Sequence, residues 1–190
     1  MATICTGPFW VDHFQDGNDY AVDHLRPVII DYDIPAVERT KKKPGRAAIT
    51  VKLRITYSHH CFTQALDKVP GANAAHYYNC TKRPNETRVF CPIRWNESLA
   101  LPAIVMGIKN CYFTRHENYF IWRNPTNSQW TEYFVYFNVR RRKHFVEMEI
   151  ESAYSRNDAA QARAGAQKVS LTNLIVNTVN GKETHRPPDV

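Results

Sequence analysis

The chain has 190 residues, of which 43% are hydrophobic and 12% aromatic, so it can bury a core and is not a disordered segment. Its formal net charge of +7 favours an anionic partner: RNA or another polyanion, an acidic protein or a lipid head group. The first residues lack the basic start and apolar run of a secretion signal, and no stretch is long and apolar enough to span a bilayer. We therefore expect a soluble, cytoplasmic protein with no membrane partner.

The N-terminal part of the chain is predicted to lead into a hairpin. Residues 1–27 carry prolines and aspartates without a hydrophobic period, and we expect them to form an arm over the domain. A short strand is predicted over 28–33. Residues 40–46 then form a solvated hairpin tip, because Pro44-Gly45 marks a turn and the neighbouring cations resist burial. Those cations are candidates for binding nucleic acid: Lys41, Lys42, Lys43 and Arg46.

Residues 48–57 alternate between apolar and polar side chains, the pattern of a half-buried strand. The predicted apolar face carries Ile49, Val51, Leu53, Ile55 and Tyr57. Continued past Tyr57, the alternation places His59 and Cys61 toward the apolar face and Ser58 and His60 toward the polar face. The sequence thus predicts a cluster of reactive side chains at the end of a strand.

The middle of the chain is predicted to combine a loop, short strands and a helix. Residues 63–85 are typical of a polar loop, and 88–94 of a strand. Asn96 or Ser98 can cap a helix that runs to about residue 108, with Pro102 in its first turn. Further strands are predicted over 111–114, 118–122 and 130–140. Large side chains on both faces of the last one indicate a central strand that is covered on both sides.

A basic turn and a second long strand follow. The turn consists of Arg140, Arg141, Arg142 and Lys143, a further set of candidates for binding nucleic acid. The strand is predicted over 144–154, with glutamates on one face. The other face carries Val146, Met148, Ile150, Ser152 and Tyr154.

The last elements are predicted to be helical. Residues 158–167 are rich in alanine, and Ser170 can cap a short helix that Asn180-Gly181 closes; a hairpin at the same Asn-Gly is the alternative. Residues 182–190 are predicted to be a loose tail. All elements together predict a single domain over residues 1–190, of the α+β class, with a mainly antiparallel sheet and a few flanking helices.

The cysteines and histidines do not have the spacing of a metal site. Five cysteines without a C-x-x-C pair are typical of reduced thiols, so we expect no metal and no other cofactor. A zinc site from His59 or Cys61 with dispersed cysteines is the alternative. Cys61 as a nucleophile needs a neighbouring base, and strand alternation turns His60 away from it.

A small basic domain can cleave RNA without a cofactor, because RNA carries its own nucleophile, the 2′-hydroxyl. The reaction needs a base, an acid and a cation for the phosphate. His59 or His60 are the candidates for acid or base, and Ser152 or Tyr154 for hydrogen-bonding support. The Arg140–Lys143 turn supplies candidate cations, and exposed aromatic rings can stack on bases.

Two resemblances bear on this hypothesis. Residues 57–63, 89–102 and 151–154 resemble a family of bacterial and prophage proteins labelled uncharacterised or stationary-phase growth adaptation proteins, a label that implies no mechanism. More distantly, a late strand that ends in Ser152-Ala153-Tyr154, in a sheet with a histidine-bearing strand, is similar to the barnase, colicin and RelE-like nuclease fold. That resemblance implies a cleft shared by His59 or His60 and the 152–154 strand end. The chain departs from this fold because it lacks a clear N-terminal helix pair and is larger than most such toxins.

We therefore expect a metal-independent RNA-cleaving protein, a toxin or phage-defence effector with RNA as its partner and a protein antitoxin as a second one. The alternative is a non-catalytic nucleic-acid-binding or regulatory protein of phage or prophage origin, which holds nucleic acid or an acidic partner with the same basic turns. The two hypotheses differ in one structural feature. Histidines and 140–143 cations in one cleft favour the enzyme, and separated positions favour the binding protein.

Overall fold

A computed structural model describes residues 3–4, 10–41, 44–79, 85–113, 119–123, 132–156 and 166–182. Lys42 and Lys43 lie outside these residues, as do nearly all of the predicted 158–167 helix and of the 182–190 tail. The strands are β1 Thr3–Ile4, β2 His13–Gln15, β3 Asn18–Tyr20, β4 Val28–Ile34, β5 Ile49–Tyr57, β6 Thr63–Ala65, β7 Tyr77–Tyr78, β8 Arg88–Phe90, β9 Asn110–Phe113, β10 Tyr119–Arg123, β11 Glu132–Arg141, β12 Val146–Arg156 and β13 Lys168–Ser170. The described α-helices are α1 Pro92–Ser98, α2 Leu101–Met106 and α3 Leu171–Val179.

Eight of the strands form one sheet in the order β1-β4-β5-β12-β11-β10-β9-β13. Neighbouring strands are antiparallel except β5 and β12, which run parallel. The described residues also form a small sheet of order β6-β8-β7 and the β2–β3 hairpin. The predicted α+β fold with a mainly antiparallel sheet and flanking helices is thus confirmed. Among the described residues, no helix is long and apolar enough to cross a membrane.

The core lies where the long strands meet the helices. In β11 the side chains of Phe134, Val135 and Phe137 are fully buried, which confirms a central strand covered on both sides. Helix α3 packs against β11 and β12 and buries its apolar face: Leu171, Leu174 and Ile175. The Ser170 hydroxyl caps α3 by accepting from the Asn173 amide at 3.1 Å, as predicted. Helix α3 ends at Val179, Asn180 is its C-cap and Gly181 follows at φ +66°, so the helix is confirmed over the alternative hairpin.

The described part of the N-terminal arm is more regular than predicted. Asp16 and Gly17 both have positive φ, 51° and 78°. They form the turn that joins the two strands of the β2–β3 hairpin. Farther along, Val22 and Leu25 are buried in the main core. This segment therefore contributes side chains to the core and does not merely cover it.

The region after β8 differs from its prediction. The strand stops at Phe90, not at Arg94, because α1 begins at Pro92. Proline is favourable there, since the first helical residues have no intrahelical partner for their N–H groups. Pro102 does lie in the first turn of α2, as predicted, but α2 begins after Ala100 and neither Asn96 nor Ser98 caps it.

Strand β12 contains a β-bulge that changes which side chains face the core. Tyr136 pairs with Ser152 but Phe137 pairs with Ile150, so Glu151 is an extra residue in β12. Val146, Met148 and Ile150 face the core as predicted, but after the bulge Ala153 is the buried residue. The prediction that Ser152 and Tyr154 share the Val146 face was wrong, because strict alternation does not continue through a bulge.

Candidate functional site

The site is built around the turn that follows β5. Ser58 N donates to Ile150 O at 2.8 Å, which ties the end of β5 to β12. A 3-10 turn over His59–Cys61 then begins, and the Ser58 hydroxyl accepts from His60 N at 3.3 Å. The chain leaves the sheet at this point, so the two histidines point in different directions.

His59 points inward and His60 toward the surface. The His59 side chain is 1% exposed, with its ring centroid 5.6 Å from that of Trp10 and 6.5 Å from that of Tyr78. The His60 side chain is 26% exposed. The predicted directions of His59, Cys61 and His60 are confirmed, whereas Ser58 is buried.

Both imidazoles converge on one carboxylate. His60 Nε2 donates to Glu86 Oε1 at 2.5 Å, and His59 Nε2 lies 3.7 Å from Glu86 Oε2. One ligand atom from each of the three side chains lies within 4.8 Å of the other two. Glu86 enters this position because it lies two residues before the start of β8, whose neighbour β6 begins just after the 3-10 turn.

Arg88 orients the carboxylate. Its Nη1 donates to Glu86 Oε1 at 3.2 Å, its Nε to Thr63 Oγ1 at 2.7 Å and its Nη2 to Thr63 O at 3.2 Å. The Thr63 hydroxyl in turn donates to His59 O at 2.7 Å. The Arg88 side chain is 11% exposed, so its charge is compensated within the protein.

Arg94 connects the turn to the end of β12. Its Nη1 donates to Thr63 O at 2.8 Å and to His60 O at 3.3 Å, and its guanidinium lies 4.5 Å from the centre of the Tyr154 ring. In the described part of the chain, no hydrogen bond engages its Nε or Nη2. Arg94 therefore has donors to offer an anion beside His60.

The electrostatics of the site favour an ionised carboxylate. Burial raises the pKa of Glu86, but attraction to His60, His59 and Arg88 outweighs burial, and the net pKa is below the ordinary value. Near neutral pH the site thus holds a carboxylate, two imidazoles and two guanidinium groups. Such a set can move a proton, bind an anion or ligate a metal.

The structure links one strand-end candidate to the histidines. Tyr154 is joined to the turn through Arg94, and its ring stacks against that of Tyr136 with centroids 5.8 Å apart. The hydroxyl of Ser152, on the same face, makes no hydrogen bond to a described residue. The bulge at Glu151 brings Tyr154 to the face on which Arg94 can reach it.

The predicted basic turns lie elsewhere. Lys41 and Arg46 belong to the connection before Ile49, roughly 25 Å along β5 from its histidine end. Arg140 lies opposite Glu147, which pairs with Arg54, so Arg140 is two strands away from β5 and roughly 15 Å from the His59–Cys61 turn along the strand direction. It pairs with Glu149 at 3.1 Å. Arg142 pairs with Glu147 at 2.5 Å, and the remaining two cations of this turn, Arg141 and Lys143, are exposed.

Sequence reasoning missed Glu86, Arg88, Arg94 and Thr63. A local signal existed for two of them, because Glu86 and Arg88 alternate directly ahead of the apolar pair Val89-Phe90. Arg94 gave no such signal, because the sequence predicted it to lie in a strand. In a strand its side chain would point in a different direction from the one it takes in helix α1.

The described cysteines take no part in the site. Cys61, Cys91 and Cys111 are buried and unbridged, whereas Cys5 and Cys80 lie outside the described residues. Burial raises the pKa of the Cys61 thiol to about 12, which makes it a poor nucleophile.

Comparisons with known proteins give a family but no named relative. No curated protein matches the chain, and no solved structure matches it. Neither the stationary-phase label nor the nuclease resemblance thus gains a named homologue. A family model does match residues 8–179, and the chain therefore belongs to the YjaZ family.

Proposed function

We propose that the protein cleaves RNA without a metal ion, with Glu86 and His60 as the acid–base pair. The observation that carries this proposal is the 2.5 Å contact between His60 Nε2 and Glu86 Oε1. In this contact the imidazole N–H donates and the carboxylate accepts. The ionised carboxylate is then the base, and His60 serves as the acid in the form whose imidazole carries a proton on both nitrogens.

The chemistry uses the 2′-hydroxyl of RNA as the nucleophile. Glu86 takes the hydroxyl proton, the 2′-oxygen attacks phosphorus, and the bond between phosphorus and the 5′-oxygen breaks while His60 gives its proton to that oxygen. The products are a 2′,3′-cyclic phosphate and a 5′-hydroxyl. Glu86 can accept this proton because its carboxylate is ionised at neutral pH, although its lowered pKa makes it a weaker base than an ordinary glutamate.

The two arginines have different roles in this mechanism. Arg94 stabilises the negative charge that develops on the phosphate, since its Nε and Nη2 are not engaged by described residues. Arg88 is a positioning residue, because all three of its donor groups hold Glu86 and Thr63. The exposed Lys41, Arg141 and Lys143 would attract the polyanion from a distance.

A binding protein without catalysis is the second candidate. The observation that favours it is the separation of the Arg140–Lys143 turn from the histidines, by roughly 15 Å along the strand direction and by two strands across the sheet. If the basic turns carry the affinity, binding to RNA weakens steeply with salt. Neutralising Arg141 and Lys143 together then lowers both the affinity and the salt slope. An unchanged slope removes this turn from the interaction.

The test of cleavage uses end-labelled single-stranded RNA in the presence of EDTA. Wild-type protein is compared with Glu86→Gln and His60→Ala, and Glu38→Gln and His144→Ala serve as controls because both residues are exposed and distant in the chain. We expect the first two variants to lose cleavage by about 10²–10⁴-fold and the controls to retain it.

Two further measurements make this test specific. RNA with a single 2′-deoxy substitution at the scissile position should not be cut there, and the product should carry a cyclic phosphate. Full cleavage by Glu86→Gln, or none by the wild type on any RNA tried, would refute the proposal and leave the binding function in its place.

A further inference from the structure

We propose that His59, His60 and Glu86 also form a site for one divalent transition-metal ion, and that Zn²⁺ occupies it in a state that excludes the acid–base contact. This inference concerns binding and does not need the RNA-cleaving function. It begins from the arrangement of the donor atoms, since one ligand atom from each residue lies within 4.8 Å of the other two.

The spacing of these atoms suits a small metal ion. Zinc binds imidazole nitrogen and carboxylate oxygen at about 2.0–2.2 Å, so two ligands of a tetrahedral ion lie about 3.3 Å apart. His59 Nε2 and Glu86 Oε2 are 3.7 Å apart, close to that separation. The 2.5 Å contact between His60 and Glu86 must lengthen by about 1 Å to admit the ion.

The three side chains differ in exposure, and this difference allows that movement. His59 is enclosed between Trp10 and Tyr78 and gives a fixed ligand. The side chains of His60 and Glu86 are 26% and 32% exposed, so they can shift and leave the fourth position open to water. Three protein ligands with one open position are typical of a zinc site that is not purely structural.

Arg88 decides which metals this site can accept. Its guanidinium holds Glu86 Oε1 at 3.2 Å, and Oε2 is the oxygen that faces His59. The positive charge of Arg88 opposes every cation, so the ion must gain its affinity from imidazole. Zn²⁺ and Co²⁺ do so, whereas Mg²⁺ and Ca²⁺ prefer oxygen ligands and should not bind.

Metal and proton compete for the same lone pairs. A bound ion takes Nε2 of His60 and an oxygen of Glu86, so His60 can no longer donate a proton to that carboxylate. One consequence rests on the proposed function: if the protein cleaves RNA, Zn²⁺ inhibits cleavage and EDTA restores it.

The binding test uses the full-length protein stripped with EDTA and then dialysed, with calorimetric titration of Zn²⁺. We expect one ion per chain for the wild type and a loss of at least tenfold in affinity for His60→Ala and Glu86→Gln. The controls His144→Ala and Glu38→Gln should match the wild type. Circular dichroism in EDTA checks that each variant is folded, and titration with Mg²⁺ should show no binding.

A spectroscopic measurement tests the part of His59 without mutating a buried side chain. In a ¹H–¹⁵N correlation spectrum of the imidazoles, one equivalent of Zn²⁺ should shift the Nε2 signals of His59 and His60 and leave those of His144 in place. Absence of Zn²⁺ binding, unchanged affinity in folded His60→Ala and Glu86→Gln, or an unmoved His59 signal would each overturn the site. Cleavage that Zn²⁺ accelerates would overturn the claim of exclusion, and a protein that binds Zn²⁺ but cuts no RNA would support the site while refuting the proposed function.

Discussion

Arg88 offers a direct test of how the site is held together. It is a nearly buried cation whose three N–H groups donate hydrogen bonds to Glu86 Oε1, Thr63 Oγ1 and Thr63 O. Arg140 is its natural comparison, because it also pairs with a glutamate, at 3.1 Å, but has a side chain that is 50% exposed. Both residues are changed to alanine.

The expected costs differ because of burial. Breaking a buried ion pair costs about 3–5 kcal/mol of unfolding free energy. We place Arg88→Ala near the lower end, about 3 kcal/mol, because Glu86 keeps His60 and Thr63 O keeps Arg94 as partners. In a chain of this length that corresponds to a fall of about 6–12 °C in Tm. Arg140→Ala should cost about 0–1 kcal/mol, the usual range for an exposed pair.

The assay is urea unfolding followed by circular dichroism, with the slope m compared between variants to confirm that the same transition is measured. Arg88→Lys adds a second comparison, since it keeps the charge but loses the planar set of donors. It should be intermediate in stability. If Arg88→Ala costs no more than Arg140→Ala, the hydrogen-bond network around Glu86 does not hold the site and the reasoning fails.

Three further predictions concern the same cluster. His59→Ala should lower Tm more than His60→Ala, because His59 is enclosed and His60 is partly exposed; a larger loss for His60→Ala in thermal unfolding would contradict this. The folded pKa of Glu86 is depressed, so its stabilising contribution is complete above the ordinary value of 4.5 and declines as pH falls below it. The difference in unfolding free energy between wild type and Glu86→Gln should therefore shrink on acidification, and a difference that grows would show the opposite sign. Protein purified without added metal and kept in EDTA should remain folded by circular dichroism, whereas unfolding by EDTA would show that a metal is structural.

The sequence contained enough to place the histidines but not their partner. Alternation predicted the inward direction of His59 and Cys61, but β5 ends at Tyr57 and it is the 3-10 turn over His59–Cys61 that directs them inward. Glu86 lies 26 residues beyond His60, and their contact depends on how β6 and β8 pair after the 3-10 turn. No local period carries that information. A buried arginine such as Arg88 is also contrary to the usual distribution of charged residues, so a hydrophobic pattern does not indicate it.

The bulge at Glu151 shows the same limit within a single strand, and it leads to a test of the register. Strict alternation assigns Ser152 to the core face and Ala153 to the polar face, whereas the structure has Ala153 fully buried and Ser152 half-buried. Ala153→Leu should therefore overpack the core and cost about 1–3 kcal/mol of unfolding free energy. Ser152→Leu should cost less, because its side chain lies on the face of Tyr136 and Tyr154 and retains access to solvent. Urea unfolding of the two variants decides between the registers, and a larger loss for Ser152→Leu would mean that β12 runs without a bulge and that Tyr154 does not lie beneath Arg94.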